Sequence, residues 1–465
     1  RACPMKLYDT FSGTKKEFAP ATDEVRMYVC GPNLYGPCHV GHAFSYVVFD
    51  VLRRYLEHKG YRVLHAQNFT DIEDRIIEVA SQQSRTISDL AEHYIQRFLQ
   101  EMDALGIQRA HHYPRATEYI GRMIDIVQAL VANGHAYAVD GDVHFRVRSF
   151  PAYGQLSKRR LDEMEAGARI EVDARKEDPM DFVLWKAAKE GEPSWASPWG
   201  AGRPGWHIEC TAMSTGLLGE QMDIHGGGQD VVFPHHENEI AQSEAYTGVT
   251  PFVRFWVHNG LLRLTESDDE KMTRHQGNFV SCQDALARYH PDTIRLFLLS
   301  SHYRSPRAYS EDEIVAQQRA MERMLAALRG NTALEGEALV LEEYQPRFEE
   351  AMDDDLNTPR ALAVLFDMAR DINRGREEAK DVRPAQALLR KLASVVGITF
   401  ATAQGQDKVG AQPFIDLLVE TRTKLREAEQ FALADSIRAQ LTLMGVALED
   451  SAQGTTWRFQ QPGKA

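Results

Sequence analysis

The largely apolar residues 25–29 (VRMYV) form a short β-rich run that ends in Cys-Gly-Pro and so reads as a strand entering a loop. The period then changes. In GHAFSYVVFDVLRRYLEHKG, Val47, Val48, Val51, Leu52 and Leu56 fall near one face of a helix, with Gly60 as its stop. The next segment, YRVLHAQNF, returns to strand character. A strand, helix, strand unit over about 25–69 predicts a parallel, doubly wound sheet.

Residues 75–133 are largely helical in pattern, whereas 135–205 carry short strands and loops such as EGEPSWASPWGAGRPGW and read as an insertion. A second α/β set follows: helical ECTAMSTGLLG, strand-like MDIHGGG, helical HENEIAQSEAY and strand-like FVRFWVHNGLL. From about 310 to 400 the pattern is helical again; Thr358 before Pro359 reads as an N-cap with proline at the first helical position. Asp353, Asp354 and Asp355 read as a solvated helix terminus. Residues 403–412 resemble a linker before a compact tail.

Length and composition narrow the class. A chain of 465 residues exceeds what one core organises, so several domains are expected. With 43% hydrophobic and 26% charged residues the composition is that of ordinary globular domains, which excludes low-complexity and disordered classes. The net charge of −14 repels polyanions as a whole, so any nucleic-acid contact must use local basic patches. No apolar run reaches membrane-span length, and the expected location is cytoplasmic, or a matrix after processing, with no membrane partner. The five cysteines (Cys3, Cys30, Cys38, Cys210, Cys282) are few and scattered, which suits reduced or metal-bound thiols better than a disulfide framework. Met5 reads as a natural start.

Candidate chemistry begins at His39-Val40-Gly41-His42, between the first strand and first helix. A helix N-terminus offers unbonded N–H groups and a positive dipole end to a phosphate, imidazoles can add hydrogen bonds, and Gly41 permits close approach. Alone, the four residues are as readily incidental; the strand-to-helix context favours a nucleotide site. Far downstream, EKMTRHQGN places Lys271 and Arg274 in a hydroxyl-bearing, glycine-containing loop suited to a departing pyrophosphate. On local grounds a solvated basic loop is the better reading, and what changes the weight is the pairing of the two segments in this order. In HGGGQD, Gly227 allows backbone approach to a nucleotide and Asp230 could accept from ribose hydroxyls, with a tight turn an equal alternative. Thr70 in NFTD serves equally as a helix N-cap.

With HVGH and KMTRH the chain resembles the class I aminoacyl-tRNA synthetases. Longer blocks narrow the resemblance to the cysteinyl-tRNA synthetases: MYVCGPNLYGPCHVGHAFSYVVFDVLRRYL, NFTDIEDRII, DPMDFVLWK, EGEPSWASPWGAGRPGWHIECTAM, MDIHGGGQDVVFPHHENEIAQSEA and HYRSP, with a matching tail, ALEDSAQGTTWR. The resemblance implies a Rossmann-type catalytic core in two halves (5–109 and 205–310, the second with the signature loop) split by a connective insertion (110–204). A helical bundle (311–402) and an anticodon-recognising domain (411–465) follow. It implies cysteine-tRNA ligation by a monomer using L-cysteine, ATP with Mg²⁺, and tRNA(Cys). By the same resemblance, His39 and His42 stabilise phosphates and Lys271 and Arg274 the pyrophosphate, while Gly31, Asn33, Thr70, Trp206 and His225 surround the amino acid.

Sequence spacing alone makes Cys30, Cys210, His235 and Glu239 ordinary buried or capping residues; the resemblance makes them ligands of one Zn²⁺ per chain. Zinc suits cysteine recognition, because an apolar pocket separates near-isosteres by only about ten- to two-hundredfold, whereas Zn²⁺ binds thiolate far better than hydroxyl. No editing module is then needed. His207, His236 and Cys38 read as packing or supporting groups. The chain departs from the family pattern at Asn33, Gly36, Phe44, Arg274 and His275, where Thr, Asp, Arg, Lys and Ser are usual. Two alternatives stay open: the related cysteine-dependent amino-sugar ligase of mycothiol synthesis, which would share the adenylation site but have no use for residues 411–465, and, because of these departures, a catalytically weakened tRNA- or zinc-binding paralogue.

Overall fold

The run over 25–29 is realised as strand β1, Glu24–Val29, followed by helix α1, Val40–His58, and strand β2, Arg62–Gln67. The computed structural model describes residues 4–20, 22–161, 174–263, 279–329, 336–400, 411–443, 446–451 and 454–459. The second α/β set forms helix α2 (Trp206–Leu218), strand β3 (Met222–Gly228), helix α3 (Glu237–Thr247) and strand β4 (Val253–Asn259). The four strands make one parallel sheet in the order β4, β3, β1, β2, with Ile224 opposite Met27 and Val25 opposite Val63. Val25, Met27, Val29, Ile224 and Val257 are all fully buried, as expected of a sheet covered on both faces.

The strand order reverses between β1 and β3, because β1 leads outward to β2 and β3 leads outward to β4 on the other side. In open parallel sheets the ligand crevice lies beyond the carboxyl ends of the strands at such a reversal. Cys30 and Gly31 leave β1 there, beside Gly227 and Gly228 at the end of β3. Close approach is built into these glycines: a Cβ on Gly226 would lie 2.3 Å from the ring of Phe49 in α1, and one on Gly31 would lie 1.6 Å from the carbonyl oxygen of Asn68.

Between the halves sits a five-stranded antiparallel sheet from Ala136–Val139, Asp142–Phe145, Phe182–Ala187, Trp195–Ser197 and Gly200–Pro204. After the second half come helices Glu311–Ala327, Tyr344–Asp353, Thr358–Glu377 and Arg383–Val395. They share one apolar core with α1. A fully buried ion pair joins these regions: Arg295 reaches Asp50 of α1 at 2.6 Å and also donates to the carbonyls of Leu105 and Val396. The chain divides into two compact units, Arg1–Phe400 and Ala401–Ala465. In the second, helices Ala411–Glu427 and Phe431–Leu443 precede an antiparallel strand pair, and buried Arg422 holds Asp450 by two 2.8 Å bonds. The linker expected over 403–412 falls largely outside the described residues.

Two local expectations are corrected. The cap before Pro359 is Asn357, whose side chain accepts from the backbone of Arg360, while the Thr358 hydroxyl donates to the Leu299 carbonyl at 2.8 Å. Nor is the Asp353-Asp354-Asp355 run solvated throughout. Asp353 is buried and accepts from the Tyr55 hydroxyl at 2.6 Å, and Asp355 is fully buried, accepting from Tyr303, Arg304 and the backbone of Tyr8 at 2.8 Å each. Only Asp354 keeps the expected exposure, paired with Lys15. Carboxylates can be buried when positive and hydrogen-bond partners replace water, a compensation that local sequence does not reveal.

Candidate functional site

Helix α1 begins with a reciprocal cap between its two histidines. His39 Nδ1 accepts the backbone N–H of His42 at 3.3 Å, and His42 Nδ1 accepts that of His39 at 3.2 Å. Their rings stack with centroids 3.7 Å apart. The stack lies over Gly41, where a Cβ would come within 2.8 Å of His39 Nδ1. The HVGH segment therefore satisfies its own helix start while presenting ring edges to the crevice.

That crevice is a cleft of about 360 Å³. Its lining includes Cys30, Gly31, Asn33, His39, Gly41, His42, Trp206, Gly227 and Asp230. Among the residues expected around the amino acid, Thr70 and His225 lie behind this wall, 1% and 0% exposed. Thr70 donates to Glu209 at 2.9 Å, and its backbone pairs with Asn33. Lys271 and Arg274 lie outside the described residues. The chain resumes beside α1, with Val280 accepting from the backbone of Val40 at 2.9 Å and Ser281 bridged to His39.

At the back of the cleft Cys30, Cys210, His235 and Glu239 converge, one donor atom of each lying within 4.8 Å of the others. The sulfurs are 3.8 Å apart, and Glu239 Oε1 is 3.0 Å from His235 Nε2 and 3.9 Å from Cys30 Sγ. Cys30 follows the end of β1, Cys210 comes from α2, His235 from the turn just before α3 and Glu239 from the first turn of α3, so the fold assembles donors remote in sequence. Trp206 stacks on His235 with centroids 4.3 Å apart.

Charge in this pocket is strongly organised. The hydrogen bond with Cys30 draws the Cys210 thiol down to about 6, against burial and with help from His235, whereas burial pushes the Cys30 thiol well up. Burial works against protonation of His235, yet Glu239 and Cys210 raise it to about 10. Glu239 is held well below the usual carboxylate range: burial opposes this, and His225 and His235 prevail. A bound cation would compete with the protons on these same donors.

Supporting groups surround the four, among them His236 and His207, which the sequence offered in that role, and Asn68, which it did not. His236 Nε2 lies 3.2 Å from Cys30 Sγ, closer than Cys210 does, and Asn68 accepts from the Gly31 backbone at 2.8 Å beside Cys210. The His235-His236 pair was a signal, but adjacency cannot say which ring turns inward. Here both do. His207 also joins the cluster, 2.9 Å from His235.

Comparison with known proteins places the chain among its relatives. The family of "tRNA synthetases class I (C) catalytic domain" matches residues 17–319, and the DALR domain matches 347–401. A cysteine–tRNA ligase of Dehalococcoides mccartyi is 51% identical over 460 residues, covering 98% of this chain and 100% of the relative.

The chain belongs to the cysteine–tRNA ligase family.

It is thus a class I aminoacyl-tRNA synthetase by family. A cysteine–tRNA ligase of Alkalilimnicola ehrlichii is 49% identical over 98% of this chain and 99% of the relative. Among solved structures, Mycobacterium tuberculosis methionyl-tRNA synthetase in complex with methionyl-adenylate aligns at a TM-score of 0.57 and 16% identity, over 81% of this chain and 90% of that one. This last likeness bears on the fold. No described helix is long and apolar enough to cross a membrane.

Proposed function

We propose that this cysteine–tRNA ligase family member activates L-cysteine with Mg·ATP and transfers it to tRNA(Cys), selecting its amino acid through zinc. The observation that carries the reading is the convergence of Cys30, Cys210, His235 and Glu239 behind a cleft whose mouth is the HVGH helix start. The donors fit the ion: two thiolates bound at about 2.3 Å in a tetrahedron lie about 3.8 Å apart, and the sulfurs are separated by 3.8 Å. Zinc held there would bind the substrate thiol as thiolate, which a serine hydroxyl near neutral pH cannot match.

The remaining work falls to the chain's own residues. Gly31, Asn33 and Trp206 bound the amino-acid end of the cleft, while Thr70 and His225 support it from behind. Gly227 admits the nucleotide and Asp230 accepts from its ribose. Because Nδ1 of His39 and of His42 accepts a backbone N–H, the proton of each neutral ring sits on Nε2, the atom that donates to phosphate oxygens. The cysteine carboxylate attacks the α-phosphorus, expelling pyrophosphate whose growing charge Lys271 and Arg274 neutralise. A 3′-terminal ribose hydroxyl of the tRNA then takes the cysteinyl group, and AMP leaves. Residues 411–465 supply anticodon recognition.

Cysteine-dependent exchange of labelled pyrophosphate into ATP, followed by charging of tRNA(Cys), tests the reading. Both should proceed, with serine far poorer in exchange. Exchange without charging would favour the amino-sugar ligase, and neither activity would favour the weakened paralogue. Comparable exchange with serine would remove the zinc-selection mechanism.

A further inference from the structure

We infer that the floor of the cleft holds a second metal position, formed by Cys30, His225, His236 and Glu239 and taking a divalent ion of the zinc or cobalt type. One donor atom from each of these four residues also lies within 4.8 Å of the others. Cys30 Sγ is 3.2 Å from His236 Nε2, and His225 Nε2 is 2.8 Å from Glu239 Oε2. The inference rests on the reading above only in taking Cys30 and Glu239 as metal-binding.

Three features distinguish this set from histidines packed at random. Both imidazoles are held through the far nitrogen: His225 Nδ1 meets the Tyr28 carbonyl at 3.2 Å, and His236 Nδ1 meets His258 Nε2 at 2.7 Å. His258 is anchored in turn by the Thr10 hydroxyl at 2.8 Å. Fixing one ring nitrogen by an outer hydrogen bond, so that the other points at a shared centre, is how proteins orient metal-binding histidines. Second, both Glu239 oxygens face this centre, Oε2 toward His225 at 2.8 Å and Oε1 toward His235 at 3.0 Å and, at 3.9 Å, toward both His236 and Cys30. A carboxylate placed this way can bridge two ions, and the Cys30 sulfur, near both Cys210 and His236, can supply the second bridge. Third, all four residues except Cys30 are fully buried, so water competes poorly for the ion.

The position lies beneath the nucleotide floor, since a Cβ on Gly227 would stand 3.3 Å from the His236 ring and 3.6 Å from Cys30 Cβ. Excess metal would therefore load directly under the active cleft, converting a one-ion site into a thiolate- and carboxylate-bridged pair.

Metal-free full-length protein titrated with Co²⁺ and, separately, with Zn²⁺ tests this, with bound metal counted after gel filtration and thiolate-to-cobalt absorption followed throughout. Two equivalents per chain are expected, the second at least tenfold weaker. The His225→Gln/His236→Gln variant should retain one equivalent with two-thiolate absorption. Cys210→Ser should also retain one, with absorption reduced to that of a single thiolate, which keeps the inference testable if the double variant does not fold. One equivalent at saturation in the parent that survives the histidine changes, or no binding in Cys210→Ser, overturns the second position. A single equivalent that survives Cys210→Ser but is lost with the two histidines would uphold this position and overturn the zinc assignment proposed above.

Discussion

His39 and His42 cap each other: each Nδ1 accepts the other residue's backbone N–H, and the rings stack at 3.7 Å. A signature usually read as a phosphate ligand is here also a local fold, and Gly41 is the residue that lets the pair close.

Gly41→Ala should therefore disable activation without disturbing the metal. The added methyl meets His39 Nδ1 at 2.8 Å and must displace the ring. A misplacement of about 1 Å in a group that positions the reacting atoms costs about a hundredfold in rate. Pyrophosphate exchange should fall accordingly with zinc content unchanged; exchange within threefold of the parent would show that the stack does not position the phosphates.

The Asp50–Arg295 pair should behave as a buried ion pair does. Asp50→Asn leaves a buried guanidinium without its counter-charge, a change that costs about 3–5 kcal/mol. Arg370→Ala, which removes an exposed partner of Asp367, should cost about 0–1 kcal/mol. Urea denaturation of both variants makes the comparison, and equal small losses would contradict it.

His65 should make the protein acid-sensitive. Burial, aided by Arg53 and His111, lowers its pKa from 6.5 to about 3, and neither ring nitrogen has a hydrogen-bond partner among the described residues. The unfolded chain thus binds a proton that the folded one refuses as pH falls from about 6.5 toward 3. The contribution is fully present above that window and declines by about 1.4 kcal/mol per pH unit within it. His65→Phe, which removes the titrating ring nitrogens, should lose less stability between pH 6.5 and 5 than the parent; parallel pH profiles would refute the assignment.

Restoring Lys and Ser at Arg274 and His275 should raise kcat for pyrophosphate exchange and leave zinc content and cysteine affinity unchanged. A planar guanidinium does not substitute atom for atom for an ammonium. One well-placed donor to a developing oxyanion is worth about 3 kcal/mol. No gain in the double revertant would mean that the departures are compensated or lie off the slow step, whereas intact exchange in Lys271→Ala would dismiss the loop's assigned role.

Periodicity located β1, α1, β2 and the second α/β set because these elements bury continuous faces, a property written residue by residue. It could not place Asp355, since the partners that make its burial tolerable, Tyr8, Tyr303 and Arg304, lie in other segments. Likewise the cap moved from Thr358 to Asn357 because a tertiary acceptor, the Leu299 carbonyl, engages the threonine hydroxyl. At the site, the blocks around Cys30, Cys210 and His235 marked the residues that converge. That His236 also faces Cys30 depends on the backbone path before α3 and on His258, which no local pattern records.

The latch at Asp355 has a consequence for the order in which the chain can assemble. Lys6 bridges to Asp354, its carbonyl accepts the backbone N–H of Asp355, and Asp355 is held in the left-handed region at a φ of 61°. Residues 6–9 pair locally with residues 14–17, yet the Lys6 carbonyl and the Tyr8 N–H find their partner only in a segment nearly 350 positions later. Pairings this distant in sequence form slowly, because most of the intervening chain must first be brought to order. A ribosome stalled before residue 355 would thus carry the local hairpin of residues 6–9 and 14–17 with the Lys6 carbonyl and the Tyr8 N–H still lacking the partner that the finished unit gives them.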